Sequence, residues 1–314
     1  MYAKKSAGVK MCLLALGASG MLATGAQAAD YDGFFDLNVG YSTLDADWNI
    51  ASDITGTQTP NVISELTWDN LQLGYIAIDS EKPFLKGSPL VIRGRYQLGL
   101  AFSGDNQDSD YDGDNRTLEF SRSNNKSAGY TSDLTFGVGY RLESRNGNFA
   151  VTPNVGYSNN LQHFSITDGY QTINTRTGAT GPFSGLDSVF ESRWFGPYVG
   201  LKVDSQLNDL WLQLSLDYMF ADYYAYGDWN LRSDLQHPKS FEHFSTGTAI
   251  KGGLKATYAP RNSDFEVSLE YALQHYVLDP GTIQFNGTSR TSVQRLNGGT
   301  TQSQYIGIAV NRFF

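Results

Sequence analysis

The feature that most constrains this chain is an alternation of apolar and polar side chains, one residue in two, sustained over ten or more residues at a time. From Ile92 to Phe102 the positions Ile92, Tyr96, Leu98, Leu100 and Phe102 are apolar, while Arg93, Arg95 and Gln97 fall between them. Leu134, Phe136, Val138, Tyr140 and Leu142 alternate in the same way with Asp133, Thr135 and Arg141. Leu210, Leu212, Leu214, Leu216, Tyr218 and Phe220 alternate with Gln213, Ser215 and Asp217. Phe265, Val267, Leu269, Tyr271 and Leu273 alternate with Glu266, Ser268, Glu270 and Gln274. Successive strand side chains point to opposite faces, so each run is a strand with one apolar and one polar face.

Alternation alone does not separate a soluble sandwich from a membrane barrel, because both have two-faced strands. The start of the chain, the strand lengths and its end decide between them. Lys4, Lys5 and Lys10 precede and enter an apolar run from Met11 to Leu22, and Ala26-Gln27-Ala28 follows. This pattern is a secretory signal peptide over residues 1–28, cut after Ala28. No later segment reaches the roughly 18 consecutive apolar residues of a membrane helix, so an integral mature chain must cross as strands. The alternating runs are longer than the 5 to 6 residues usual in globular strands, and they suit a tilted membrane crossing. The chain ends on a strand, Gln304 to Phe314, with Ile306, Ile308, Val310 and Phe314 in one phase. A terminal Phe there resembles the C-terminal insertion signal of bacterial outer-membrane proteins; Arg312 departs from it, since that position is usually apolar.

Strands are expected near 32–43, 62–79, 90–102, 131–145, 149–166, 189–205, 210–225, 247–259, 265–278 and 303–314. Ten is an even number, as single-chain outer-membrane barrels require, and short turns alternate with long connections. The long ones, near 44–61, 103–130, 167–188, 226–246 and 279–302, belong outside the cell. The expected fold is therefore all-β: a ten-stranded antiparallel transmembrane β-barrel with five long extracellular loops, over residues 29–314. Nineteen Tyr and 33 Gly suit such a barrel, with aromatic girdles and a crowded lumen.

Side chains largely fill the interior of a ten-stranded barrel, and open channels appear at about 16 strands. In this register Arg93, Arg95, Arg141, Lys202, Lys251 and Lys255 face inward, as do Asp133, Asp217, Glu266 and Glu270. Mutual pairing is the expected fate of these charges. Cys12, the one cysteine, lies in the leader, so the mature chain has neither a disulfide nor a thiolate metal site. Loss of the leader's three lysines takes the formal charge from −9 to −12, which makes nucleic acid a poor partner. The expected partners are outer-membrane lipid and lipopolysaccharide, together with an extracellular ligand or peptide substrate.

Chemistry concentrates in two outer loops. In the second, Asp108, Asp110 and Asp112 alternate, Asp114 follows Gly113, and Glu119 closes the series. The spacing matches an EF-hand loop, with carboxylates at its first, third and fifth positions, Gly at the sixth and Glu at the twelfth. Calcium is the cofactor this implies; the competing reading is a solvated acidic loop tip. In the fourth, Asp222, Tyr223, Tyr224, Tyr226, Asp228, Trp229, Arg232, Asp234, His237, Glu242 and His243 cluster within or beside the loop. Tyr223 and Tyr224 are expected at the membrane interface. Histidines beside carboxylates form a candidate acid/base group. HExxH, P-loop and GxSxG motifs are absent from the sequence.

Ten strands, five outer loops, the segment Val62-Ile63-Ser64-Glu65-Leu66-Thr67-Trp68 and a D-x-D pair in the second loop look like the omptins, surface proteases and adhesins of Gram-negative bacteria. The resemblance covers the mature chain as architecture and only short stretches as sequence. It implies that Asp108 and Asp110 match the Asp pair with which omptins hold a water across the barrel mouth. Their second pair, Asp-x-His, has its nearest match in Asp234 and His237. Here two residues intervene instead of one, which turns the side chains to opposite faces of a strand unless a bulge restores them. Two functions stay open: a surface barrel that binds through its acidic loops, with calcium as a candidate cofactor, and an omptin-like endopeptidase using Asp108, Asp110, Asp234 and His237.

Overall fold

The computed structural model describes residues 31–260 and 266–312. The expected leader and the terminal Phe314 lie outside these residues. Ten long strands form the wall: β1 (Phe34–Ile50), β2 (Ser64–Pro83), β3 (Leu90–Gly113), β4 (Thr117–Tyr140), β5 (Phe149–Asn174), β6 (Asp187–Leu207), β7 (Leu210–Asp228), β8 (Phe241–Tyr258), β9 (Glu266–Leu278) and β10 (Thr291–Arg312). Each pairs antiparallel with its sequence neighbours, and β1 also pairs with β10, which closes the ring. Val39, for example, stands opposite Ile76 of β2 on one side and Ile308 of β10 on the other.

At membrane height the alternation reads apolar outside and polar inside. On β1, Leu37, Val39 and Tyr41 are exposed while Asp36, Asn38 and Ser42 are buried. Ile78, Leu100, Val138, Leu214 and Leu269 continue the exposed apolar belt round the wall. This outward band of large apolar residues faces lipid and marks an integral outer-membrane protein. The inward polar residues pair as expected. Lys251 lies 2.8 Å from Asp133, Arg95 is 2.8 Å from Glu270, Lys202 is 2.6 Å from Glu81, and Arg141 is 2.5 Å from Asp204. Lys255 bonds Asp36.

Above the belt the strands run on well past the expected boundaries. The expected second loop, 103–130, is instead a β-hairpin closed by a single 3₁₀ turn, Asp114–Arg116, with Asn115 and Arg116 at positive φ. Its residues pair all the way out, because once the hairpin rises above the belt its backbone groups still gain from ladder partners. The fifth loop likewise contains a short strand, Gly281–Asn286, paired with both β8 and β10.

Over the same extension the sense of the alternation inverts. Leu44, Trp48 and Ile50 of β1 now point inward and are buried, and Asp45, Asp47 and Asn49 point out. Outside is water here, so apolar side chains gain by turning into the barrel. Trp48, Leu66, Trp68, Phe164, Phe190, Trp194, Tyr223, Phe241 and Tyr276 form one buried cluster across the lumen. Tyr223 therefore lies inside, 4.5 Å from Trp194 between ring centroids, and not at the membrane interface expected for it together with Tyr224. Adjacent strand residues cannot both face lipid. The cluster rests directly on the charged layer: the Tyr276 hydroxyl donates to Gln274, whose amide donates to Asp133.

A charge at the middle of the belt tests the arrangement. Leu214→Arg, which places a guanidinium in the hydrocarbon, is expected to lower folding free energy in lipid vesicles by about 2–4 kcal/mol. Reversible urea titration followed by tryptophan fluorescence reads the change, and an unaffected midpoint would remove Leu214 from the lipid face.

Candidate functional site at the barrel mouth

Over the aromatic layer opens a cavity of about 780 Å³. Trp48, Leu66, Ile166 and Phe241 lie at its base, and they also belong to the buried cluster. One wall carries Asn106, Asp108 and Asp110 of β3. A register shift between Ala101 and Asp105 sets their phase. Below it the odd-numbered residues of β3 face inward; above it the even-numbered ones do, which aims both aspartates into the cavity. Ser64 of β2 stands opposite Asp110 in the ladder, and Ser121 of β4 flanks it on the other side.

The opposite wall is the fourth loop, residues 229–240, which contributes Trp229, Arg232, Asp234 and Leu235. This loop packs on the fifth. Gln236 N–H donates to the Asn286 carbonyl, and Thr288 N–H donates to the Asp234 carbonyl, at 2.7 and 2.9 Å. Burial pushes the Asp108 carboxyl well above the usual carboxylate range, and the charge of Asp110 pushes it further; Arg232 and a Ser64 hydrogen bond pull the other way. Asp110 is also raised, chiefly by burial, against hydrogen bonds from Ser64 and Ser121 and the charges of Arg176 and Arg232. Asp108 Oδ1 is buried and accepts no hydrogen bond.

The remaining acidic residues of the second extension disperse. Asp112 accepts from Arg176 at 3.0 Å, Asp114 accepts from Thr59 and Asn61, and Glu119 pairs with Arg122. Because residues 108–113 end a strand, their carboxylates lie in line at roughly 6.5 Å intervals instead of curling round a centre. Among the described residues no group of three or more His, Cys, Asp or Glu side chains is placed to hold a metal.

The fourth-loop pair is likewise separated. Asp234 takes a two-pronged contact from Arg232, at 2.8 and 2.7 Å, which holds its carboxyl down at about 2. His237 Nδ1 lies 2.5 Å from Asp228 Oδ1, and His237 does not line the cavity. The structure thus brings Asp108 and Asp110 together at the cavity, with Asp234 on the facing rim, and joins His237 to a different carboxylate.

A family model described as Protochlamydia outer membrane protein matches residues 36–310. The chain belongs to this family. No curated protein matches the sequence. Among solved structures, the outer membrane protease OmpT of Escherichia coli superposes with a TM-score of 0.71 at 14% identity, covering 92% of this chain and 99% of that one. The transport unit of the autotransporter AIDA-I of Escherichia coli gives 0.37 at 8% identity, covering 93% of each chain. OprG of Pseudomonas aeruginosa gives 0.32 at 13%, covering 92% of this chain and all of that one. The OmpT likeness, at this identity, is one of fold.

One residue of the family member's mouth was not legible as a partner-free group. His243, placed by sequence beside carboxylates, is instead wholly buried in the aromatic layer. Its ring lies 4.7 Å edge-on from Trp48 and 5.2 Å stacked on Phe241, and neither nitrogen has a hydrogen-bond partner. It stands above the lipid-facing stretch of β8, and burial lowers its pKa from 6.5 to about 3. Between pH 6.5 and 3 the unfolded chain therefore binds a proton at His243 that the folded chain does not. Stability from this residue is complete above pH 6.5 and is lost as pH falls toward 3. His243→Phe is expected to gain stability relative to wild type progressively over that window, with no relative gain between pH 7 and 8. Urea unfolding of both proteins at stepped pH reads it; parallel pH profiles would place a partner on His243.

Proposed function

We propose that this family member is a surface barrel that binds a ligand in the cup at its mouth and does not conduct solutes. What supports this reading is the filling beneath the cup. Its aromatic base lies on a layer of paired charges, so the two seals stack between the mouth and the periplasmic end. A cavity of about 780 Å³ that combines aromatic and aliphatic surface with convergent polar and charged groups is of the size of a small-molecule site. The acidic second extension supplies the polar wall, which keeps binding with the acidic outer segments.

The peptidase reading has one observation in its favour, the aim of Asp108 and Asp110 into the cup of a barrel folded like OmpT. In that reading the Asp pair and an Asp234–His237 pair would share one water. Against it, His237 is engaged by Asp228 and Asp234 by Arg232.

Purified protein in a planar lipid bilayer is expected to give no unitary conductance; reproducible steps would overturn the blind cup. The same preparation, refolded with lipopolysaccharide, is expected to leave a basic-residue peptide uncut. Cleavage lost in His237→Ala and kept in His243→Ala would establish the peptidase instead.

A further inference from the structure

The acidic wall of the cup has a buried carboxyl oxygen without a hydrogen-bond partner. Asp108 and Asp110 both face the cavity, and Asp108 Oδ1 is sealed from solvent with nothing donating to it. Two of the three arginines that line the cup are held by other carboxylates. Arg232 is bidentate to Asp234, Arg176 is bonded to Asp112 and lies over the Phe120 ring at 3.6 Å, and Arg290 is exposed on the fifth-loop turn. The side chains nearest the Asp pair, Ser64 and Ser121, are neutral. A buried carboxylate left in this state is costly, and a cationic group placed beside it relieves the cost.

The spacing suits one such group. Inward positions two apart on a strand are separated by roughly 6.5 Å, so an ammonium between them can reach both carboxylates. Apolar surface lies in the same cup. Trp48, Phe241 and Trp229 present ring surface, and Ile50 and Leu66 add aliphatic surface.

Resting on the reading of the mouth as a ligand cup, we propose that it takes a small organic cation, its ammonium between Asp108 and Asp110 and its apolar body against Trp48 and Phe241. The ammonium supplies the donor that Asp108 Oδ1 lacks. The rings accept the apolar body and, where it is charged, attract it through their faces.

The test uses the full chain refolded in detergent micelles and three probes of one shape: tryptamine, tryptophol with a hydroxyl in place of the amine, and indole-3-propionate with a carboxylate. Calorimetry is expected to show tryptamine binding at least roughly tenfold tighter than either of the others, the loss typical of a charge-assisted contact. Asp108→Asn and, independently, Asp110→Asn are expected to remove that preference while leaving tryptophol affinity unchanged, which a collapse of the cup would not. Retention of the compact form on unheated gels verifies folding of each variant. Equal binding of tryptamine and tryptophol overturns the cation inference and leaves the cup reading standing. Failure of all three probes to bind overturns the inference too, while the blind cup is judged separately by the bilayer recording. Binding of calcium alone, with tryptamine excluded, would also overturn it and return the Asp pair to a metal role.

Discussion

Everything in this molecule depends on closure of the backbone hydrogen-bond ladder between β1 and β10. In hydrocarbon an unpaired peptide group has no water to turn to, so an open sheet edge is intolerable and the strands must meet. That closure fixes which side chains are inside and which are outside for the whole length of the wall. It also sets the lumen width at a size that side chains can fill.

Given the ring, the medium outside dictates the filling. At belt height lipid takes the apolar phase, and the polar phase is left to the lumen, where Lys251 with Asp133 and Lys202 with Glu81 neutralise one another. Above the belt water takes the polar phase, and the apolar phase turns in to make a transverse aromatic layer. The two layers are thus one alternation read against two solvents. The cup follows from the second: the extensions hold their walls apart by ladder pairing, and the aromatic layer gives the space a base.

Much of this was legible in the chain. The phase of Leu100 and Val138, the inward charges from Arg93 to Lys255, the count of ten strands and the short turns on one side all stand as sequence periodicity implied. What failed were inferences that treated the outer segments as loops. Residues 103–130 carry Ser, Asn, Asp and Gly in a mixture typical of connections, and only their pairing with β2 and β5 makes them strands. The EF-hand spacing of Asp108, Asp110 and Asp112 arises from strand alternation as readily as from a loop. Tyr223 and Tyr224 look alike in sequence, yet one packs on Trp194 and the other faces outward.

The sequence by itself determined the class of fold, the membrane faces and the paired lumen, because a period of two with an apolar face is a local property that lipid and water act on directly. Only the tertiary structure decided the site. Whether an aspartate at 108 points in or out depends on the register shift after Ala101, and whether Asp234 meets His237 depends on how the fourth loop packs on the fifth. Both are settled by residues far away in sequence, through ladder register and loop packing, and neither leaves a periodic trace in the chain.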